Sequence, residues 1–204
     1  MTESERIEYK PVSVREVLTE MKDLSEIMID LAYSAALFHK RELAEEVLEL
    51  EERVDYLAYI LDMNAMLAAR DAEDAESLIG VTKVAAATDK ISDAAADIAT
   101  IVLHEIGVHP IVREAFQKVE ERLARAQVKS GSVFVKKRLG ELELAAEIGV
   151  DVIAIRRGKK WLIDPDEEVM IGEGDVLFAR GAPRGVDELE KLAGGPTEKH
   201  AEEG

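Results

Sequence analysis

The stretch that decides the fold of the first half of the chain is DKISDAAADI, residues 89–98. At about 100° per residue on a helix, Asp89, Asp93 and Asp97 fall four residues apart and form one acidic stripe. Seven apolar side chains fall on the other side and predict a core-facing surface: Val84, Ala87, Ile91, Ala94, Ala95, Ile98 and Val102. These residues therefore predict a core helix of a bundle, with the acids on its outer face.

A second predicted helix repeats the acidic spacing. Glu51 and Asp55 lie four residues apart, and Asp62 continues their line. If the two helices are neighbours, Glu51, Asp55, Asp89 and Asp93 form a site for a divalent or trivalent metal ion, because hard cations prefer carboxylate oxygens. The alternative is an ordinary solvated face, since the chain has 43 acidic and 26 basic residues and helix surfaces are normally charged.

Helix signals divide residues 13–128 into four segments. Ser13 and Glu16 have the spacing of a capping box, and Asp71 is a candidate N-cap. Pro110 suits the first turn of a helix, where its missing N–H is not needed. The predicted helices cover about 13–39, 41–69, 71–106 and 110–128, the last with the stripe Ile111, Ala115, Val119, Leu123 and Ala126. Short connections predict an antiparallel bundle over residues 13–128.

The periodicity changes after residue 128. Short apolar runs separated by Gly and Pro predict strands at 133–135, 150–156, 161–163 and 176–179. Short helices are expected at 139–148 and 183–192. Residues 129–193 therefore form a small α+β domain, and residues 194–204 form a disordered polar tail.

Composition excludes several classes of function. The sequence has no apolar run long enough to span a bilayer and no leader, so we expect a cytoplasmic protein without membrane insertion. A net charge of −17 argues against a nucleic-acid partner. The sequence has no His-x-x-x-His pair and no nucleophile elbow, so no catalytic residues are assigned and an enzyme is not expected. His104, which extends the acidic stripe, is a possible extra ligand or an ordinary surface histidine.

The first 128 residues resemble the PhoU family, whose helical bundles carry paired acid-x-x-x-Asp motifs. EERVD at 51–55 is similar to the first motif, and DKISD at 89–93, followed by AAADIA, is similar to the second. The family pattern has Glu at position 89 and Gly at position 92, where this chain has Asp89 and Ser92. The resemblance implies an α-helical bundle that binds metal ions through these acids on its surface.

Residues 129–193 resemble the C-terminal domain of TrkA proteins and RCK regulators of potassium channels. LELAAEIGVDVIAIRR at 142–157 is similar to the family's helix, glycine and Val-Ile-Ala-Ile strand, and GEGDVLFARG at 172–181 is similar to its Gly-Asp hairpin. The resemblance implies a small α/β sandwich domain that forms a homodimer. Relatives that bind cyclic dinucleotides carry Asn where this chain has Asp151, and an acid repels phosphate, so no nucleotide is expected. The ligand of this domain is left unassigned.

Together the two resemblances imply an accessory protein of a membrane cation channel or transporter, with potassium as the expected cation. The runner-up is a PhoU-type regulator of phosphate transport, and a third possibility is a metal-dependent hydrolase using the acidic stripe. Two basic clusters, residues 136–138 and 156–160, are either solvated strand ends or an anion-binding patch.

Overall fold

The computed structural model describes residues 12–104, 111 and 121–195, and the chain divides into two compact units, Met1–Val108 and His109–Gly204. The described part of the first unit contains three long helices, α1 (Val14–Phe38), α2 (Arg41–Ala68) and α3 (Ala72–Leu103), each packed against the other two. The capping box of Ser13 and Glu16 is present, and the Asp71 side chain accepts the N–H groups of Glu73 and Asp74. The predicted bundle and the beginnings of its three long helices are confirmed.

The core of the first unit is formed by large apolar side chains of α1 and α2 and by small side chains of α3. Met21, Met28 and Leu31 of α1 are fully buried, as are Leu43 and Leu61 of α2. The buried residues of α3 are instead Ala85, Thr88, Ser92, Ala95, Ala96 and Ala99. Small residues allow helix backbones to approach closely, so α3 packs on the other two helices without large side chains of its own.

The predicted core face of α3 is therefore wrong. Val84 is 54% exposed and Ile91 is 44% exposed, whereas Ser92 is fully buried. The true core face is turned by about one residue, or 100°, from the predicted one, and only Ala95 belongs to both. Hydrophobicity alone predicts that the large aliphatic side chains of α3 are buried. Close packing against α1 and α2 instead favours burial of the small ones.

The second unit is built on a four-stranded antiparallel sheet. Its strands are β1 (Arg122–Gln127), β2 (Val150–Arg157), β3 (Lys160–Ile163) and β4 (Val176–Gly181), in the spatial order β1-β4-β2-β3. A 3-10 turn (Gly140–Leu142), a short helix α4 (Leu144–Glu147) and a longer helix α5 (Pro183–Gly194) complete the unit. The predicted α/β character and three of the four predicted strands are confirmed.

Three sequence-based boundaries need correction. Residues 122–127, predicted as the end of a fourth helix, form β1 and pair with β4 along their whole length. Leu123 and Ala126 are buried in this strand, so the domain boundary expected after residue 128 lies too late. Residues 133–136 form turns instead of a strand, and the helix expected at 139–148 is shortened to a 3-10 turn and α4. The rest of the fourth helix, apart from the helical Ile111, and the tail beyond residue 195 lie outside the described residues.

The sheet and α5 enclose the core of the second unit. Phe134, Ile155, Ile171 and Leu177 are all buried there, with Leu189 of α5 against them. Gly185 lies at the start of α5, where a Cβ atom would come within 2.1 Å of the Ile148 carbonyl oxygen. Only glycine allows this close approach between α5 and the chain before β2. The position of α5 is therefore set by contact between its backbone and that of Ile148.

Candidate metal site

Three of the four predicted ligands, Glu51, Asp55 and Asp93, come together in the groove between α2 and α3. Glu51 and Asp55 are one turn apart on α2, and Asp89 and Asp93 are one turn apart on α3. Glu51, Asp55 and Asp93 each have an oxygen within 4.8 Å of the others. Two oxygens bound to one cation lie at most about 5.2 Å apart, twice the longest common Ca²⁺–O distance, so this trio fits a single ion.

Asp89 lies beside this trio but is more enclosed. Its side chain is close enough to Asp55 to share a hydrogen bond, which two ionised carboxylates cannot do. Its Oδ1 atom is buried and has no hydrogen-bond partner. A buried acceptor without a donor is unfavourable, and a cation in the groove would relieve it.

The electrostatics of the groove also fit a cation. Burial, followed by repulsion from Asp93 and Asp55, raises the pKa of Asp89, and Asp62 contributes to the same shift. Burial, followed by repulsion from Asp55 and Asp93, raises the pKa of Glu51. A paired lysine or arginine would lower both pKa values, and no basic side chain is among the causes of either shift within the part of the chain that the structure describes.

The basic residue inside the first motif is directed elsewhere. Arg53 forms an ion pair with Glu20 of α1, with a distance of 2.7 Å from Nη2 to Oε1, and its guanidinium lies 5.4 Å from the centre of the Tyr56 ring. Arg53 therefore ties α2 to α1 and pairs with Glu20 instead of with the acids of the groove. This pairing could not be predicted from the sequence, because Glu20 lies 33 residues before Arg53 in the chain.

Other residues on the stripe do not join the cluster. His104 is the exposed C-cap of α3, and among the described residues the only group with metal-binding spacing is that of Glu51, Asp55 and Asp93. Ser92, which stands where the PhoU pattern has glycine, is buried and donates its hydroxyl to the Asp89 carbonyl oxygen at 2.6 Å. It supports the helix backbone beside the acids and leaves their side chains free to face the groove.

The basic clusters of the second unit are partly used by the fold. Arg157 donates two hydrogen bonds to the buried carboxylate of Asp175, at 2.8 and 2.7 Å, and a third to the Met170 carbonyl oxygen. Arg138 forms an ion pair with Glu168. These two arginines therefore hold loops in place, and sequence analysis missed Asp175 as the buried partner of Arg157. Asp151 is exposed on β2, opposite Arg180 of β4.

Within the described residues, none of the helices combines the length and apolar character needed to cross a bilayer.

Comparison with known proteins identifies both units. The PhoU domain model matches residues 18–102, and the TrkA-C domain model matches residues 123–194. No curated protein matches the chain.

Solved structures with a similar fold include several RCK domains. The RCK_C domain dimer of S. agalactiae BusR with c-di-AMP is 22% identical, has a TM-score of 0.34, and the match covers 35% of this chain and 95% of that one. The RCK C domain of the potassium transport protein KtrA, in complex with cyclic diadenosine monophosphate, is 23% identical with a TM-score of 0.33, covering 40% and 94%. The GsuK channel bound to NAD is 17% identical with a TM-score of 0.34, covering 62% and 22%.

These structures correct one expectation and leave another open. The expectation that the chain takes no nucleotide, drawn from Asp151, is contradicted, because domains of this class are solved with c-di-AMP and a channel of this class with NAD. The expectation of no nucleic-acid partner stays a prediction, and BusR is solved with its promoter DNA. The two domain matches agree with the two units of the structure, and the chain therefore carries a PhoU domain followed by a TrkA-C domain.

Proposed function

We propose that the protein is a cytoplasmic regulatory subunit of a membrane cation transporter, with potassium as the transported ion, and that its PhoU domain binds a divalent or trivalent metal ion. The observation that carries the metal site is the approach of Glu51, Asp55 and Asp93 to within 4.8 Å. Asp89 is the fourth ligand in this proposal. Its buried, unpartnered oxygen and its raised pKa support the assignment.

The chemistry of the donor set selects the class of ion. All four proposed ligands are carboxylates, which favour hard cations such as Ca²⁺, Mn²⁺ or a trivalent ion over soft ones. When bound, the ion would supply positive charge to a groove where four acids repel one another. The residues of the chain hold it between two helices, so the metal links α2 to α3.

Mn²⁺ titration tests the metal site directly. The Asp89→Ala, Asp93→Ala double variant should lose binding measured by calorimetry and by the electron paramagnetic resonance signal of free Mn²⁺. The matched control is Glu73→Ala with Glu76→Ala, which removes the same charge from exposed positions of the same helix. Equal Mn²⁺ binding by the wild type and the Asp89, Asp93 double variant would place the site elsewhere.

The transporter is tested by affinity capture from native membranes. A potassium channel or transporter among the captured proteins supports the proposal. The PhoU match also favours a second candidate, regulation of phosphate transport, and capture of a phosphate-transporter component would select it. Capture of neither would contradict both.

A homodimer through residues 129–193 is part of the same proposal. The apolar strand β2 is paired on both sides within the unit, with β3 and with β4, so it offers no edge to a second copy. What supports association is the small size of the unit, whose core is limited. Light scattering on residues 121–204 tests it, and a monomer at micromolar concentration would exclude this dimer.

A further inference from the structure

One side of α3 carries an apolar seam that the described structure does not bury. It consists of Val84, Ala87, Ile91, Ala94, Ile98 and Ile101, and we name these six residues the α3 seam. All are exposed except Ile98, which is half-buried. Scattered exposed apolar residues are common on protein surfaces, but these six form one continuous line about 25 Å long.

The spacing of the seam is that of a coiled coil. Its steps are three, four, three, four and three residues, which is the a/d pattern of a heptad repeat. β-branched residues occupy every a position, Val84, Ile91 and Ile98, and alanine occupies two of the three d positions. A strict a/d line predicts a seam with one other helix, whereas the core face of α3 uses different residues.

The seam is complementary to itself in the antiparallel direction. If two copies cross between residues 92 and 93, Ile91 of one lies opposite Ala94 of the other, and Ile98 lies opposite Ala87. Each large side chain then meets a small one, and two-fold symmetry repeats every contact. Val84 lies opposite Ile101 at each end, where the seam is apolar on both copies.

The charges beside the seam fit the same arrangement. Lys83, Lys90 and Asp97 are exposed and lie along one flank of the seam, seven residues apart. In the antiparallel register, Lys90 of one copy lies next to Asp97 of the other, and symmetry gives a second pair. In a parallel pair, the flank that carries Lys90 and Asp97 on one copy would lie on the opposite side of the seam from the same flank of the other copy, so these opposite charges would not meet.

We propose that a second copy of this chain packs antiparallel on the α3 seam, so that the PhoU domains of two copies join through a pair of α3 helices. The carboxylates of Asp89 and Asp93 lie on the other side of α3, so this contact leaves the acidic groove open. The inference rests on the seam and its flanking charges and does not depend on the metal or on the transporter.

Cysteine cross-linking of the full chain tests both the contact and its direction, because the natural sequence has no cysteine. A mixture of Ile91→Cys and Ala94→Cys chains should form a disulfide-linked dimer under mild oxidation. The matched control replaces Ala94→Cys with Ala86→Cys, an exposed alanine of the same helix outside the seam, and this mixture should lose the cross-link. A second test uses a chain that carries both Ile91→Glu and Ala94→Cys. Mixed with the Ile91→Cys chain, it should form no 91–94 product.

Three outcomes would overturn the proposal. Equal cross-linking at positions 86 and 94 would show random collision. A strong 91–91 product from the Ile91→Cys chain alone, with no heterodimeric 91–94 product in the mixture, would show a parallel contact. No intermolecular product at micromolar concentration, while circular dichroism shows the helices intact, would show that residues of the same chain or another protein cover the seam.

Discussion

At the scale of single residues, Asp175 shows how the Gly-Asp turn at residues 172–175 stabilises the second unit. Its carboxylate is 1% exposed and accepts hydrogen bonds from Arg157 and from the Gly172 N–H at 2.8 Å. Burial alone would raise the pKa of Asp175, but these donors and the charge of Arg157 together lower it. Asp175 therefore fixes the turn before β4 and joins it to β2.

Asp175→Asn should destabilise the second unit by about 1–3 kcal/mol, because the variant loses charge-assisted hydrogen bonds in a buried place. The lowered pKa means that the carboxylate contributes stability above the unfolded pKa and loses it as pH falls through the folded value. The difference from wild type in urea denaturation should thus shrink in acid. Asp187→Asn, at an exposed position of α5, is the control, and an equal effect there would refute this account.

The pKa of Asp89 is shifted in the opposite direction to that of Asp175. Its pKa is raised by burial and by neighbouring carboxylates, so the native state holds its proton more tightly than the unfolded chain. The ionised side chain therefore opposes folding, and stability falls as pH rises from the unfolded to the folded pKa. A proposed ligand that destabilises the metal-free protein is consistent with a site shaped for binding instead of for stability.

Asp89→Asn should stabilise the metal-free first unit by a few tenths of a kcal/mol at pH 7, the usual size of like-charge repulsion on helices. In saturating Mn²⁺ the order should reverse, since only the wild type gains the free energy of binding. Thermal melts with EDTA and with Mn²⁺ measure both. A wild type that is unaffected by Mn²⁺ would contradict the second expectation.

At the scale of elements, α3 contributes small side chains to the core and large ones to the surface. Ser92 is fully buried, whereas Ala86 on the same helix is exposed. Ser92→Leu should destabilise the bundle by about 1–3 kcal/mol through overpacking. The same enlargement at Ala86→Leu should change the free energy of unfolding by less than about 0.5 kcal/mol. Urea denaturation measures the free energy of unfolding of both variants. Equal losses at positions 92 and 86 would contradict tight packing of α3 against α1 and α2.

The pairing of β1 with β4 predicts where the second domain begins. Six residues of β1 pair with β4, and Ala124 and Ala126 are buried beneath them. A fragment of residues 121–204 should melt cooperatively, whereas a fragment of residues 129–204 should lose this transition because β4 becomes an unpaired edge. Circular dichroism during heating compares them. Identical melts would show that β1 is dispensable.

At the scale of the whole molecule, the net charge of −17 bears on the proposed partner. Cytoplasmic loops of membrane proteins carry an excess of Lys and Arg, so an acidic protein would be attracted to them. Association with a reconstituted transporter should slow as salt rises beyond about 0.15 M, where the Debye length is about 8 Å. Surface plasmon resonance in a salt series measures this. Strong binding to bare anionic liposomes would contradict docking to the protein.

The sequence by itself determined the class of each unit and the members of the candidate site. Capping signals at Ser13 and Asp71 mark helix starts, because a cap is a contact between neighbours in the chain. The acidic pairs at 51 and 55 and at 89 and 93 were visible because helical spacing is local. The Gly and Asp residues of the 172–175 turn were recognised in the same way.

Only the tertiary structure decided which side of α3 is buried and where the second domain begins. Ala95 and Ile91 are both apolar, and the preference for the small residue exists only once α1 and α2 pack against the helix. RLARAQ has a helical stripe as well as strand alternation, and pairing with β4, whose residues lie 49 to 59 positions further along the chain than their partners in β1, selects the strand. Likewise, Arg157 meets Asp175 only after the sheet forms, since non-local contacts leave no periodic signal in the sequence.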